Sequence, residues 1–151
     1  MSQLTAKPLA AITGASSGIG AVYARRLAAR GYDLLLIARR AERLETLAAE
    51  LTQAHGIAVQ TLAADLTDAA DIARVESALQ RAPNLEILVN NAGIGPIVST
   101  ADLSDAQAAS TLALNITALV RLTRAALPGL RSRDAAASSI SARSWPSTPC
   151  R

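Results

Sequence analysis

Phenylalanine is absent from this 151-residue chain, which holds only one tryptophan and two tyrosines. The hydrophobic half of its composition is therefore aliphatic and rich in alanine, so the core must be built from small and branched side chains. Stacking platforms for nucleobases are missing, and so is a basic stripe. Lysine occurs once, at Lys7, and the arginines behind the net charge of +3 are dispersed. Nucleic acid is not an expected partner on either ground. The single cysteine, Cys150, has no second thiol to pair with, which fits a reducing compartment. No apolar run approaches the ~20 residues of a membrane span, and Met1 to Pro8 is short and polar for a leader. The expectation is a cytoplasmic protein that does not bind membranes, and no metal site is assigned.

What the chain does have is alternation, on a length that suits one domain with a real core. The short apolar runs Leu9–Ile12, Asp33–Ala38, Ile57–Ala63 and Leu85–Val89 predict four strands covered on both faces. Between them lie segments of helical spacing. Ala21–Arg30 carries Val22, Leu27 and Ala28 and stops at Gly31. Ala41–His55 carries Leu44, Leu47, Ala48 and Leu51 and stops at Gly56. Ala69–Arg81 carries Ile72, Val75 and Leu79. A long helix is predicted from a Ser104 cap to about Leu127, with Leu112, Ile116, Leu119 and Leu122 as its apolar stripe and Pro128-Gly129 as its end. Strands and helices alternating at this size imply a parallel sheet with right-handed crossovers.

The stretch Thr13-Gly14-Ala15-Ser16-Ser17-Gly18-Ile19-Gly20 joins the first strand to the first helix. Such a turn needs residues without a β-carbon where φ is positive or another group comes close, and Gly14, Gly18 and Gly20 supply them. The helix that follows presents unpaired N–H groups and roughly half a positive charge to whatever lies above it. A dinucleotide pyrophosphate is a natural occupant, although tight packing alone also produces glycine-rich turns.

Taken with Asp65-Leu66, the Asn90-Asn91-Ala92-Gly93 loop and Asn115, this turn resembles the short-chain dehydrogenase/reductase family, in register from about Leu9 to Leu130. The resemblance implies an α/β fold, a Rossmann-like doubly wound parallel sheet binding NAD(H) or NADP(H) at the carboxyl ends of its strands. It implies that Gly14, Ser16, Ser17, Gly18, Ile19 and Gly20 hold the pyrophosphate and adjoining ribose. Asp65 would accept from the adenine amino group, with Leu66 against the ring, and Asn91, Ala92 and Gly93 would lead towards the nicotinamide ribose. Asp65 can equally be a helix cap, and the Asn pair a turn that satisfies its own backbone. Where an acidic residue would bind the 2′-hydroxyl of NAD, this chain has Ala38, followed by Arg39 and Arg40. A guanidinium pairs with phosphate through charge-assisted bonds, which favours NADP(H) over NAD(H), with Arg39 as the first contact; a merely solvated arginine is the alternative.

The pattern breaks at the chemistry. The family uses a serine after the fifth strand and a Tyr-x-x-x-Lys pair on the next helix, and the residue matched by Asn115 supports a water beside that lysine. Here Tyr23, Tyr32 and Lys7 all precede that region. Asn115 is carried over as the one residue of the catalytic set, with an interior helix hydrogen bond as its other reading. From Asp134 the Ala/Ser-rich tail lacks strand character where a fifth strand is due. Dropping two bases of the Asp134 codon permits the reading R-G-G-V-I-N-I-S-S, which looks like the family's fifth strand. The expected organisation is therefore a dinucleotide-binding domain over 1–133, incomplete at about four strands, and a disordered or out-of-frame tail over 134–151. Ser138, Ser139, Ser141 and Ser144 are not nominated as catalytic. Truncation there would leave Leu85–Val89 an uncovered edge and strip neighbours from Leu112, Ile116 and Leu119, giving a marginal, aggregation-prone domain. Two functions follow. One is the coenzyme-binding portion of an NADP(H)-dependent oxidoreductase acting on small alcohols or carbonyls, inactive as this chain. The other is a non-catalytic module that binds a dinucleotide. A decaying gene product would bind nothing.

Overall fold

The computed structural model describes residues 7–95, 102–131 and 138–141. Its elements alternate as β1 (Leu9–Thr13), α1 (Gly18–Ala28), β2 (Asp33–Ala38), α2 (Ala41–His55), β3 (Val59–Ala63), α3 (Ala69–Gln80) and β4 (Leu85–Asn90). Next come α4 (Asp105–Leu112), a π-helical segment (Ala113–Ala118), α5 (Leu119–Arg131) and β5 (Ser138–Ser141). All strand pairs are parallel, in the order β3-β2-β1-β4-β5. The chain thus winds outward from β1 through β2 to β3, then returns to place β4 on the other side of β1. That reversal opens a crevice at the carboxyl end of the sheet.

Alternation along the strands sorts the core into two layers. Ala10 and Ile12 of β1, with Leu34 and Leu36 of β2, pack towards Leu27 of α1 and Leu44, Leu47 and Leu51 of α2. Leu9, Ala11, Leu35 and Ile37 face the opposite way, against Ile72, Val75 and Leu79 of α3 and Leu122 and Leu130 of α5. Strands buried on both faces explain the unbroken apolar runs. The helix ends follow their local chemistry. Gly56 takes φ 61° and closes α2. Asp68 caps α3 by accepting from the N–H groups of Ala70 and Asp71, and Ser104 and Gln107 form a reciprocal capping box on α4.

The structure corrects the sequence reading in four places. A fifth strand, β5, pairs with β4 through Ile87–Asn90, so β4 is not an uncovered edge. Parallel pairing uses backbone groups, which an Ala/Ser-rich composition does not conceal from the sheet. This strand also lies past the expected domain boundary at residue 133. Secondly, Val22 points outward, because α1 approaches the sheet through Gly20, Ala21, Ala24, Leu27 and Ala28. Thirdly, the helix runs through Pro128 to Arg131. The ring forfeits one bond near the helix end, while burial of Leu130 beyond it holds the last turn in place.

Finally, the π segment rephases the long helix. Its wider turn absorbs extra residues and rotates everything before it relative to everything after it. Ala118, Leu122, Ala125 and Ala126 consequently face the core, whereas Leu112 and Ile116 of the expected stripe are 60% and 47% exposed. Leu122→Ala should therefore cost about 2–5 kcal/mol of unfolding free energy in a denaturant titration. Leu112→Ala should stay within about 0.5 kcal/mol.

Candidate functional site

The crevice at the carboxyl end of the sheet holds a cavity of about 460 Å³. Four connections build its walls: the β1–α1 glycine turn, the end of β2 with Arg39 and Arg40, Ala64–Thr67 after β3, and Asn91–Ile94 after β4. Ser110 of α4 and Leu114 of the π segment close one end.

The glycine turn is dictated by contact as much as by conformation. Gly14 and Gly18 take φ of 67° and 56°, where a side chain strains the backbone. Gly20 has no such φ, but a β-carbon there would land on the Gly14 carbonyl oxygen and 2.6 Å from Asn91 Nδ2. Gly20 is accordingly buried beneath the cradle and does not line the cavity, unlike the other proposed pyrophosphate residues. Gly18 and Ile19 open α1, whose N-cap Ser17 makes no side-chain cap bond. Gly18 and Ile19 line the crevice at the amino end of α1, where the helix dipole is positive.

Asn91 ties this turn to β4. Its side-chain Nδ2 donates to the carbonyls of Thr13 and Gly14 at 3.1 and 3.2 Å. Thr13 answers from β1. Its hydroxyl accepts from the N–H groups of Asn91 and Ala92, each at 3.0 Å, and donates to the Val89 carbonyl at 3.3 Å. Sequence reasoning missed Thr13; the signal was a lone polar residue closing an otherwise apolar buried strand. It also missed Ser110 and Leu114, for which the sequence carries no local signal.

The cap of α3 is Asp68, so the helix-cap reading of Asp65 does not hold, and Asp65 instead orders the preceding turn. Its Oδ1 accepts from the N–H and hydroxyl of Thr67 at 2.9 and 2.8 Å, which orders the turn, and it also lines the cavity. The Thr67 N–H and hydroxyl hold this carboxyl below the ordinary carboxylate range; partial burial opposes them and the Arg39 charge assists. Leu66 lines the same wall and is otherwise buried. Asp71 supports the turn from α3 by accepting from the Asp65 N–H at 2.7 Å. That bond, with the Arg74 guanidinium, lowers its own carboxyl too.

Asn115 sits in the π segment and does not line the cavity. Its Oδ1 accepts from the Ile94 N–H at 3.0 Å, and its Nδ2 donates to the Ile94 carbonyl at 2.7 Å. Both ends of the amide therefore brace the loop that carries Ala92 and Gly93. The bonds lie at the surface on a half-buried residue and not in the interior. Arg39 and Arg40 both reach the rim, and Arg40 crosses it to the serines of the glycine turn.

The family model described as short chain dehydrogenase matches residues 8–142. The chain belongs to that family. The chain is 42% identical over 127 residues to serine 3-dehydrogenase of Agrobacterium fabrum, covering 79% of this chain and 47% of that protein. It is 34% identical over 131 residues to the very-long-chain 3-oxoacyl-CoA reductase of Anas platyrhynchos, covering 83% and 41%. Among solved structures, a short-chain dehydrogenase from Sphingobium yanoikuyae in complex with NADPH superposes with a TM-score of 0.79 at 47% identity, over 80% of this chain and 48% of that one. The bulky-bulky ketone specific alcohol dehydrogenase from Comamonas testosteroni gives 0.86 at 36%, over 91% and 55%. The chain therefore spans about half the length of the relatives it matches. Among its described residues, no helix is long and apolar enough to cross a membrane.

Two outcomes test the construction of the site. Thr13→Val removes the acceptor of the Ala92 N–H and one of the two acceptors of the Asn91 N–H, and should lower stability by about 1–3 kcal/mol in denaturant unfolding. The depressed carboxyls of Asp65 and Asp71 bind protons more readily in the unfolded chain, so their stabilisation is present above about pH 4 and is lost as pH falls below it. Unfolding free energy measured from pH 7 to pH 3 should show that acid-side decline, and it should be shallower in Asp65→Asn.

Proposed function

We propose that this chain is the coenzyme-binding half of an NADP(H)-dependent short-chain oxidoreductase and has no turnover of its own. The observation that carries the proposal is the cavity itself. Its walls are the proposed dinucleotide residues, Gly14, Ser16–Ile19, Arg39, Arg40, Asp65, Leu66 and Asn91–Gly93, with Gly20 directly beneath. The cradle leaves room for a pyrophosphate because Gly14 and Gly20 let the turn pack directly on Asn91, where a β-carbon on either would clash. The Asp65 wall fits an adenine amino group, since Thr67 engages only Oδ1 and leaves Oδ2 to accept. When bound, the nicotinamide supplies or takes up a hydride. This chain's residues would hold and orient it, with Asn91 and Asn115 fixing the loop beside its ribose.

NADP(H) is favoured over NAD(H) because the end of β2 offers Ala38, Arg39 and Arg40 and no carboxylate to repel a 2′-phosphate. The substrate of an intact relative would be a small alcohol or carbonyl compound. Absence of turnover follows from the missing Tyr-x-x-x-Lys pair: the tyrosines are Tyr23 and Tyr32 and the lysine is Lys7. The same lack favours a second reading, a module that binds a dinucleotide without transforming it. We further propose that the sequence from Asp134 is out of frame. The permitted V-I-N-I segment overlaps β5, the place where the sheet takes up a fifth strand.

Titration of the purified chain with NADPH and NADH, followed by coenzyme fluorescence, tests the binding. NADPH should bind at least about tenfold more tightly, and replacing both Arg39 and Arg40 by alanine should abolish that preference. Failure to bind either coenzyme rejects the proposal. Sequencing the coding DNA across Arg133 separates the two readings. A shifted frame with Tyr-x-x-x-Lys downstream supports the oxidoreductase, and one that reaches a stop without it supports the module.

A further inference from the structure

Beyond β3 the backbone is tied up by three aspartates in a closed ring. Among the described strands β3 is an edge, fastened to β2 at its end by the Ala64 N–H on the Ala38 carbonyl at 3.0 Å. The next N–H, that of Asp65, donates instead to Asp71 Oδ2 at 2.7 Å. The Asp71 N–H donates to Asp68 Oδ1 at 2.9 Å, and the Asp68 N–H donates to the Asp65 carbonyl at 2.9 Å. Two of these three bonds are local devices, a helix cap and a turn. The third needs a carboxylate on the first turn of α3, aimed back at the loop. Asp71 supplies it from a firm base, since Ile72 and Val75 seat α3 in the core. Its Oδ1 accepts from Arg74 Nη1 at 2.6 Å, so its two oxygens are divided between a guanidinium and the Asp65 N–H. Asp65 lines the cavity and Asp71 does not.

Resting on the coenzyme-binding reading above, in which Asp65 accepts from the adenine amino group, we propose that Asp71 is a positioning residue that sets the base selectivity of the site through the Asp65 N–H. An ionised carboxylate only accepts hydrogen bonds, so it rewards an amino group and repels a carbonyl oxygen at the same place. That discrimination depends on direction: a carboxylate free to swing turns away from the wrong base and holds the right one poorly. Asp65 stands on a connection and not within a regular element, yet it is held at its N–H by Asp71, at its carbonyl by Asp68 and at Oδ1 by Thr67. Only Oδ2 is left for the base. Asp68 and Thr67 are neighbours of Asp65 that move with the turn, whereas Asp71 joins the turn to a packed helix. Groups fixed to such elements keep a binding geometry better than groups on loops alone.

The test is equilibrium binding of NADPH and of deamino-NADPH, in which hypoxanthine puts a carbonyl where adenine has its amino group, to the full chain, followed by coenzyme fluorescence. The readout is the ratio of the two dissociation constants on one sample, which a smaller folded fraction leaves unchanged. Wild type should prefer NADPH about tenfold. Asp71→Ala should weaken NADPH about fivefold and deamino-NADPH no more than about twofold, so that the preference falls to about threefold. Asp71→Ser, whose hydroxyl falls short of the Asp65 N–H, should do the same. Asp71→Asn keeps an acceptor and should retain the wild-type ratio. Asp65→Ala should abolish the preference, and adding Asp71→Ala to it should change nothing further. Equal weakening of both coenzymes by Asp71→Ala, with the ratio intact, would overturn the proposal by reducing Asp71 to a structural role. Loss of the ratio in Asp71→Asn would overturn it too, because charge and not the bond to Asp65 would then be at work. Wild type that binds both coenzymes equally removes the adenine contact, and the proposal with it, while coenzyme binding stands; wild type that binds neither rejects the coenzyme reading itself.

Discussion

Asn91 is the peg on which the crevice hangs. Its carboxamide lies against Gly14 and Gly20, and a β-carbon on either glycine would sit within 2.7 Å of its nitrogen. The glycines are thus bare because a side chain from the next strand over occupies their space. Thr13 fixes the peg from below by accepting the N–H groups of Asn91 and Ala92. Two loops more than seventy residues apart in sequence are thereby locked into one wall. Buried polar groups so far from solvent are costly unless each finds a partner, and among the described residues every buried side-chain nitrogen or oxygen does.

From that wall the charge pattern of the site follows. Helix α1 faces the crevice with its amino end and carries no acidic residue in its first turn to offset the dipole. Arg39 and Arg40 add positive charge at the rim, and Asp65 is the carboxylate set among them. The sheet is what makes this economical. Successive parallel strands deliver their connections to the same end, so residues distant in sequence converge without any one loop being long. The π segment extends the principle to the far side. By rephasing the long helix it turns Asn115 onto Ile94 while Leu122 and Ala126 stay in the core.

Much of this was legible because it depends on local pattern. β2 and α2 match their expected spans, since an apolar run and a helix closed by glycine are set by nearby residues. Ile72, Val75 and Leu79 face inward as their spacing requires. The residues expected to hold a dinucleotide, other than Gly20, line one cavity because the spacing of a strand–turn–helix unit determines where they fall. What escaped depends on partners distant in sequence. Thr13 has meaning only beside Asn91, the phase of α5 is set by a helical irregularity with no compositional mark, and β5 is held by backbone pairing that side-chain character does not announce.

The placement of the cavity also bears on what half a family member can retain. Among the described residues, its lining comes from Ala38 at the end of β2, the connections that follow β1, β2, β3 and β4, and the α4 region as far as Leu114. The strand β5 contributes backbone pairing to β4. The side chains proposed to hold phosphates and adenine are ordered by contacts among the described residues, such as Thr13 with Asn91 and Asp65 with Thr67, so the crevice takes its form from the parallel sheet and the connections at its carboxyl end.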